Sequence, residues 1–208
     1  MKAKSTSRIK STGEIFTPPT LVNEIINDIY LTSPRLFITT NVSFLDPTCG
    51  DGEFLRGVIR KIRTTRSSFS RRVFSHIIKN QLWGVDIMWD NVCDTVYYLL
   101  RSYKSLGECP LLESSGFDNV INSEELLDTQ TPEEINTSFT QTRSYKDSQG
   151  IIEVRRRKDS QHLVEYRLNK KGKWTTVHNI VRANSLTEWD FENWCCKCCK
   201  PNQELNKN

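Results

Sequence analysis

Several things are scarce in this chain, and each scarcity excludes something. Of 208 residues only 9 are Gly and 7 are Pro, too few for a collagen-like or low-complexity polypeptide. No stretch approaches the roughly 18 to 20 consecutive apolar residues of a membrane span, and the opening MKAKSTSRIKSTGEIF lacks the apolar run of a secretory signal. Cysteine is odd in number, seven, and a chain of this length buries enough surface to hold a core without disulfide staples, so a disulfide framework is not expected. The three histidines, His76, His162 and His178, are scattered and match no catalytic or metal pattern. What is left is one globular domain with appendages, 10% aromatic, expected to be soluble and cytoplasmic.

The net charge of +4 hides a segregation. Residues 1–141 carry 15 basic and 17 acidic side chains, whereas residues 142–182 carry 11 basic against 4 acidic, a net +7. Lys and Arg concentrated in this way gain affinity for nucleic acid by displacing condensed counterions. The candidates for contact with DNA are Arg155, Arg156, Arg157, Lys158, Lys170, Lys171 and Lys173, with Trp174, Tyr166 and His162 interleaved as stacking groups. A solvated hairpin face reads equally well from the same residues.

The hydrophobic periodicity changes along the chain. Leu21, Val22, Ile25, Ile26 and Ile29 follow Pro18 and Pro19 at helical spacing, with Thr20 as the expected N-cap. Val42, Phe44 and Leu45 then read as a strand, followed by a glycine-bearing turn and a helix with Phe54, Leu55, Val58, Ile59 and Ile62 on one face. The plan repeats in a strand ending at Val85-Asp86 and a helix carrying Val92, Val96, Leu99 and Leu100, with a further strand expected at 119–122. Such alternation predicts a parallel sheet with helices on its faces. Residues 128–150 are polar and read as a linker or loop, and 151–182 as a basic antiparallel meander of three strands that either extends the sheet or forms a separate lobe. Residues 183–208 form a tail rich in aromatics and cysteine, and 1–127 the core.

DPTCGDGEFL, Asp46 to Leu55, stands where a strand hands over to a helix, the edge at which open α/β sheets bind ligands. Gly50 and Gly52 permit a tight turn, and the helix N-terminus offers N–H groups suited to a carboxylate or a phosphate. Asp86, ending the next strand, is placed to accept from the two hydroxyls of a ribose. The G-x-G-x-x-G fingerprint of dinucleotide sites is not met, because Leu55 stands at its last position. Taken singly, Asp86 also reads as a helix N-cap and the glycines as an ordinary βα turn.

GEIFTPPTLVNEII, FLDPTCGDGEFL and WGVDIMWDNV, in that order, resemble the first three blocks of N6-adenine DNA methyltransferases of the modification-subunit and phage type, over about residues 10 to 127. The resemblance implies a Rossmann-like class I S-adenosylmethionine-dependent methyltransferase core. It implies that Thr17, Pro18 and Pro19 line the methionine end of S-adenosylmethionine, that Asp46, Thr48, Gly50 and Gly52 form the cofactor loop, and that Asp86 takes the ribose hydroxyls while Ile87 packs on the adenine. Glu124, in NVINSEELL, falls where the family has an acidic residue near the adenine amino group. DNA is the implied partner.

One block of the family is missing. In the resembled family the flipped base is held by Asn, Asp or Ser followed by Pro-Pro and an aromatic, and the only adjacent prolines here are Pro18 and Pro19. The chain is therefore expected to bind the cofactor without turnover alone, or to need a second subunit for catalysis or target recognition; the alternative is a non-catalytic nucleic-acid-binding or decoy protein that keeps the fold. Cys195, Cys196, Cys198 and Cys199 form two overlapping C-x-x-C pairs, but from one short segment, and no metal site is assigned.

Overall fold

The computed structural model describes residues 9–10, 13–104, 142–147, 150–192 and 195–196. The elements are α1 (Pro19–Thr32), α2 (Arg35–Ile38), β1 (Phe44–Asp46), α3 (Glu53–Thr65), α4 (Arg71–His76) running into a π-helical turn (Ile77–Gln81), β2 (Leu82–Asp86), α5 (Trp89–Lys104), β3 (Arg143–Asp147), β4 (Gly150–Arg156), β5 (Leu163–Leu168), β6 (Thr175–Arg182) and the short pair β7 (Trp189–Asp190) and β8 (Cys195–Cys196). Six strands form one mixed sheet in the order β1-β2-β6-β5-β4-β3, an α/β arrangement compatible with a Rossmann-like fold. Among the described residues no helix is long and apolar enough to cross a membrane.

The meander joins the sheet, and it does so through a parallel pairing. β6 lies beside β2 with Gly84 opposite Ile180 and Asp86 opposite Arg182, and β1 lies parallel on the other side of β2. The antiparallel meander expected over 151–182 is present as β4, β5 and β6, and of the two placements left open for it, it extends the sheet: short connections return the chain antiparallel from β3 to β6. Arg143–Asp147, expected within a polar linker, is strand β3, because Tyr145 and its neighbours pair with Gly150–Val154 of β4. The strand expected at 119–122 lies outside the described residues.

The described helices also gather on one face rather than both. Buried residues of all five helices, Val22, Ile26, Phe37, Leu55, Ile62, Phe74 and Val92 among them, share one cluster with Leu82, Ile152, Val154, Val164 and Ile180 of the strands. The alternate residues Leu45, Trp83, Val85 and Val181 face the other way and pack with Ala183 and Trp189, as the two-residue period of a strand requires. The segment after β6 thus covers the face the helices leave.

Local chemistry explains the element boundaries. α1 starts at Pro19, one residue before the expected cap, with Pro18 in the N-cap position; proline costs nothing there, since the first N–H groups of a helix have no intrahelical acceptor. α1 crosses α3 closely at Gly57, where a methyl group would sit 2.8 Å from Val22 Cγ1. β3 is fastened to α5 by a buried network in which Tyr145 Oη donates to Asp94 Oδ1 (2.5 Å), Arg143 pairs with Asp94 (3.5 Å), and the Tyr97 and Tyr145 rings stack at 4.1 Å. The π-helical turn is held from two sides: Gln81 Nε2 donates to Thr39 O and Val42 O, and Asn179 Nδ2 of β6 donates to Ile78 O and Leu82 O.

Asn179, 7% exposed, therefore closes two carbonyls at the junction of the π turn, β2 and β6. Replacement by leucine, similar in size, leaves them without that donor, and Asn179→Leu is expected to lose about 1–3 kcal/mol. A lowered urea midpoint with unchanged m-value is the expected result, and an unmoved midpoint refutes it.

Candidate functional site

A cleft of about 640 Å³ opens at the carboxyl rim of β1 and β2, within the 300–1,000 Å³ range usual for small-molecule sites. Three walls meet there: the strap Gly13–Thr17 that precedes α1, the loop from Asp46 to Glu53, and the start of α5 with Asp86, Ile87, Met88 and Asn91.

Each wall is set by its sequence. Cys49 N–H extends the strand pairing to Val85 O (2.9 Å), after which Gly50 and Gly52, at φ +53° and +84°, turn the chain into α3. Both positions exclude a side chain. A methyl group on Gly50 would stand 2.9 Å from the Phe16 ring, and one on Gly52 2.9 Å from Thr95 Cγ2. Thr95 in turn donates from Oγ1 to Gly50 O (2.9 Å). Gly52 shapes the loop as the residue before α3 and does not line the cleft.

Asp86 joins the walls. Its Oδ2 accepts from Gly50 N–H (3.0 Å), and its Oδ1 accepts from Met88 N–H (2.8 Å) and Asn91 Nδ2 (3.2 Å). The second hydrogen of the Asn91 amide goes to Glu14 Oε1 on the strap (2.5 Å). Asp86 is 9% exposed, and burial pushes its carboxyl up to about 6, against the lowering effect of these three donors, with Glu14 adding a small rise. Burial also raises Asp46, whose Oδ1 accepts from Thr48 N–H. The Cys49 thiol is driven well up, first by burial and then by Asp86 and Asp46, which leaves it un-ionised and a poor nucleophile.

Of the residues expected at the cofactor, Thr17, Asp46, Thr48, Gly50, Asp86 and Ile87 line this one cleft, and Pro18 and Pro19 lie outside its lining, beginning α1. Glu124 lies outside the described residues. Sequence reasoning passed over Glu14, Phe16, Asn91 and Thr95; Asn91 and Thr95 stand one helical turn apart beside the apolar stripe of α5, a detectable signal. Among the described residues the lining contains five carboxylates, Glu14, Asp46, Asp51, Glu53 and Asp86, and no Lys or Arg. Arg56 and Arg60 hold Glu53 from outside the cleft, and Arg56 lies 3.7 Å from Asp51.

The basic residues are not gathered into one patch. Arg155 pairs with Glu165 and Arg167 with Glu153 across the strands, and both guanidinium groups lie over the Trp174 ring, at 3.8 and 4.7 Å. Arg156 donates to Ser160 O and lies over Trp89, while Arg157 pairs with Asp159. Arg157 and Lys158 occupy the β4–β5 turn, which the topology puts at the same rim as the cleft, next to Arg182 at the end of β6. Lys170, Lys171 and Lys173 occupy the β5–β6 connection at the opposite end, one strand length or roughly 20 Å away. Among the described residues no group of His, Cys, Asp and Glu is arranged to hold a metal ion.

Compared with known proteins, the chain matches no family model, no curated protein and no solved structure.

Because the folded-state carboxyl of Asp86 stands near 6 against an ordinary value of 3.8, its protonated form favours the fold. That contribution is complete below about pH 4 and is lost as the pH rises through 6, a change of about 3 kcal/mol. The stability difference between wild type and Asp86→Asn should move by about this amount between pH 4 and pH 7.5, the variant gaining as the pH rises. Urea unfolding at a series of pH values measures it, and a flat difference contradicts it.

Proposed function

We propose that the cleft binds S-adenosylmethionine and that the chain is an N6-adenine DNA methyltransferase-like protein on a Rossmann-like class I core. The carrying observation is the meeting of the Gly50 loop with Asp86 in a cleft whose described lining has no Lys or Arg and five carboxylates, of which Glu14, Asp46 and Asp86 are not among those that Arg56 and Arg60 pair with from outside. A sulfonium nucleoside with an amino-acid tail brings two positive centres and one carboxylate, so acidic walls attract it; the phosphate chain of a nucleoside triphosphate or the pyrophosphate of a dinucleotide concentrates negative charge against those walls and is repelled. Asp86 Oδ2 accepts one protein N–H and keeps capacity for a ribose hydroxyl. Ile87, 44% exposed beside it, offers an apolar surface to a purine ring.

Turnover by the chain alone is not part of this reading. The adjacent prolines begin α1, so they do not supply a base-holding motif, and a second subunit is the natural source of one. The alternative, a nucleic-acid-binding protein without turnover, draws support from Arg157, Lys158 and Arg182 at the rim of the cleft, where DNA offered to the cofactor would lie.

Calorimetry with S-adenosylmethionine should show binding that Asp86→Ala weakens at least tenfold, no binding of ATP or NAD, and no methyl transfer to unmethylated DNA by the chain alone. Absence of binding, or binding indifferent to the substitution, removes the cofactor reading. For DNA, Arg157→Ala with Lys158→Ala should reduce the dependence of affinity on salt by close to two contacts, while Lys170→Ala with Lys171→Ala should leave it nearly unchanged. Equal effects of the two pairs would show that the rim is not where DNA lies.

A further inference from the structure

We propose that Asn91 is a positioning residue that latches the strap Gly13–Thr17 over the cleft and couples it to the Gly50 loop. This deepens the cofactor reading above and takes the cleft from it, but the latch rests on its own geometry.

Glu14 and Asp86 both direct a carboxylate at the carboxamide of Asn91, at 2.5 and 3.2 Å from the same nitrogen. Two carboxylates brought together in a site this buried repel unless a donor stands between them. Asn91, 2% exposed, supplies both hydrogens. Its Oδ1, meanwhile, is buried and receives no hydrogen bond among the described residues. An acceptor left in that state costs stability, and an apolar side chain on this face of α5 would avoid the cost. The amide is therefore explained by what its nitrogen holds, not by what it adds to the core.

The strap is built to be held in this way. It has neither helix nor strand between Gly13, at φ +67°, and the start of α1. Ile15 is 82% exposed while its neighbours Glu14 and Phe16 turn inward, Phe16 placing its ring against Gly50. Glu14, Asn91, Asp86, Gly50 and Phe16 thus close a ring of contacts through all three walls of the cleft. Without the amide, Glu14 faces Asp86 with no hydrogen between them, and the strap swings out.

Thermolysin cleaves before large apolar residues, so a strap that swings out is nicked at Ile15 or Phe16, and mass spectrometry of the ligand-free protein gives the rate. Asn91→Leu and Glu14→Ala should each speed nicking roughly tenfold. The double variant should be no faster than the faster single, because both remove one interaction. Asn91→Ser serves the same purpose should the leucine variant fail to fold, and Glu14→Ala should keep the wild-type melting temperature within a few degrees. Unchanged rates, or effects that multiply in the double variant, overturn the latch. Adding 1 mM S-adenosylmethionine should slow nicking of the wild type; no slowing counts against the cofactor reading and leaves the ligand-free comparison standing.

Discussion

A single buried carboxylate organises this molecule. Asp86 ends the central parallel strand, and its two oxygens gather the N–H of Gly50, the N–H of Met88 and the amide of Asn91. The glycine loop, the first turn of α5 and, through Asn91, the strap before α1 all take their positions from it. Burial makes that charge expensive, as the elevated carboxyl shows. Strained or costly ionisation at the rim of a sheet is a common property of sites kept for binding rather than for stability.

The strand–turn–helix units were legible because their periods are strong. Leu55, Val58, Ile59 and Ile62 on α3, and Val92, Val96 and Leu99 on α5, are buried as their spacing required. The convergence of Gly50 and Asp86 could be read from their places at the ends of neighbouring strands. The strap contact could not, since Glu14 and Asn91 are 77 residues apart and no local pattern links them. Sheet order was equally hidden: β2 and β6 pair across almost a hundred residues, and periodicity reports a strand without naming its neighbour. The polar segment that became β3 misled because its pairing is decided by tertiary contacts of Arg143 and Tyr145 rather than by propensity.

Charge was legible in amount but not in arrangement. Counting residues 142–182 gives a strongly basic segment, yet the register of β4 on β5 sets Arg155 against Glu165 and Glu153 against Arg167. These partly buried pairs quench the field of that face and leave the excess in the turns at either end. Only one of those ends adjoins the cleft, so Arg157 and Lys158 of the β4–β5 turn stand apart from the lysines of the β5–β6 connection.

The parallel pairing of β6 with β2 carries one more implication. Ala183 N–H donates to Asp86 O, and Arg182 Nε donates to Ile87 O, so the main chain around the pivotal carboxylate is completed by residues almost a hundred positions downstream. The polypeptide is consequently not modular: no cut between the cleft and the basic strands yields two self-sufficient pieces. A chain cut short after α5 would lose the very contacts that hold the main chain around the site it was meant to isolate.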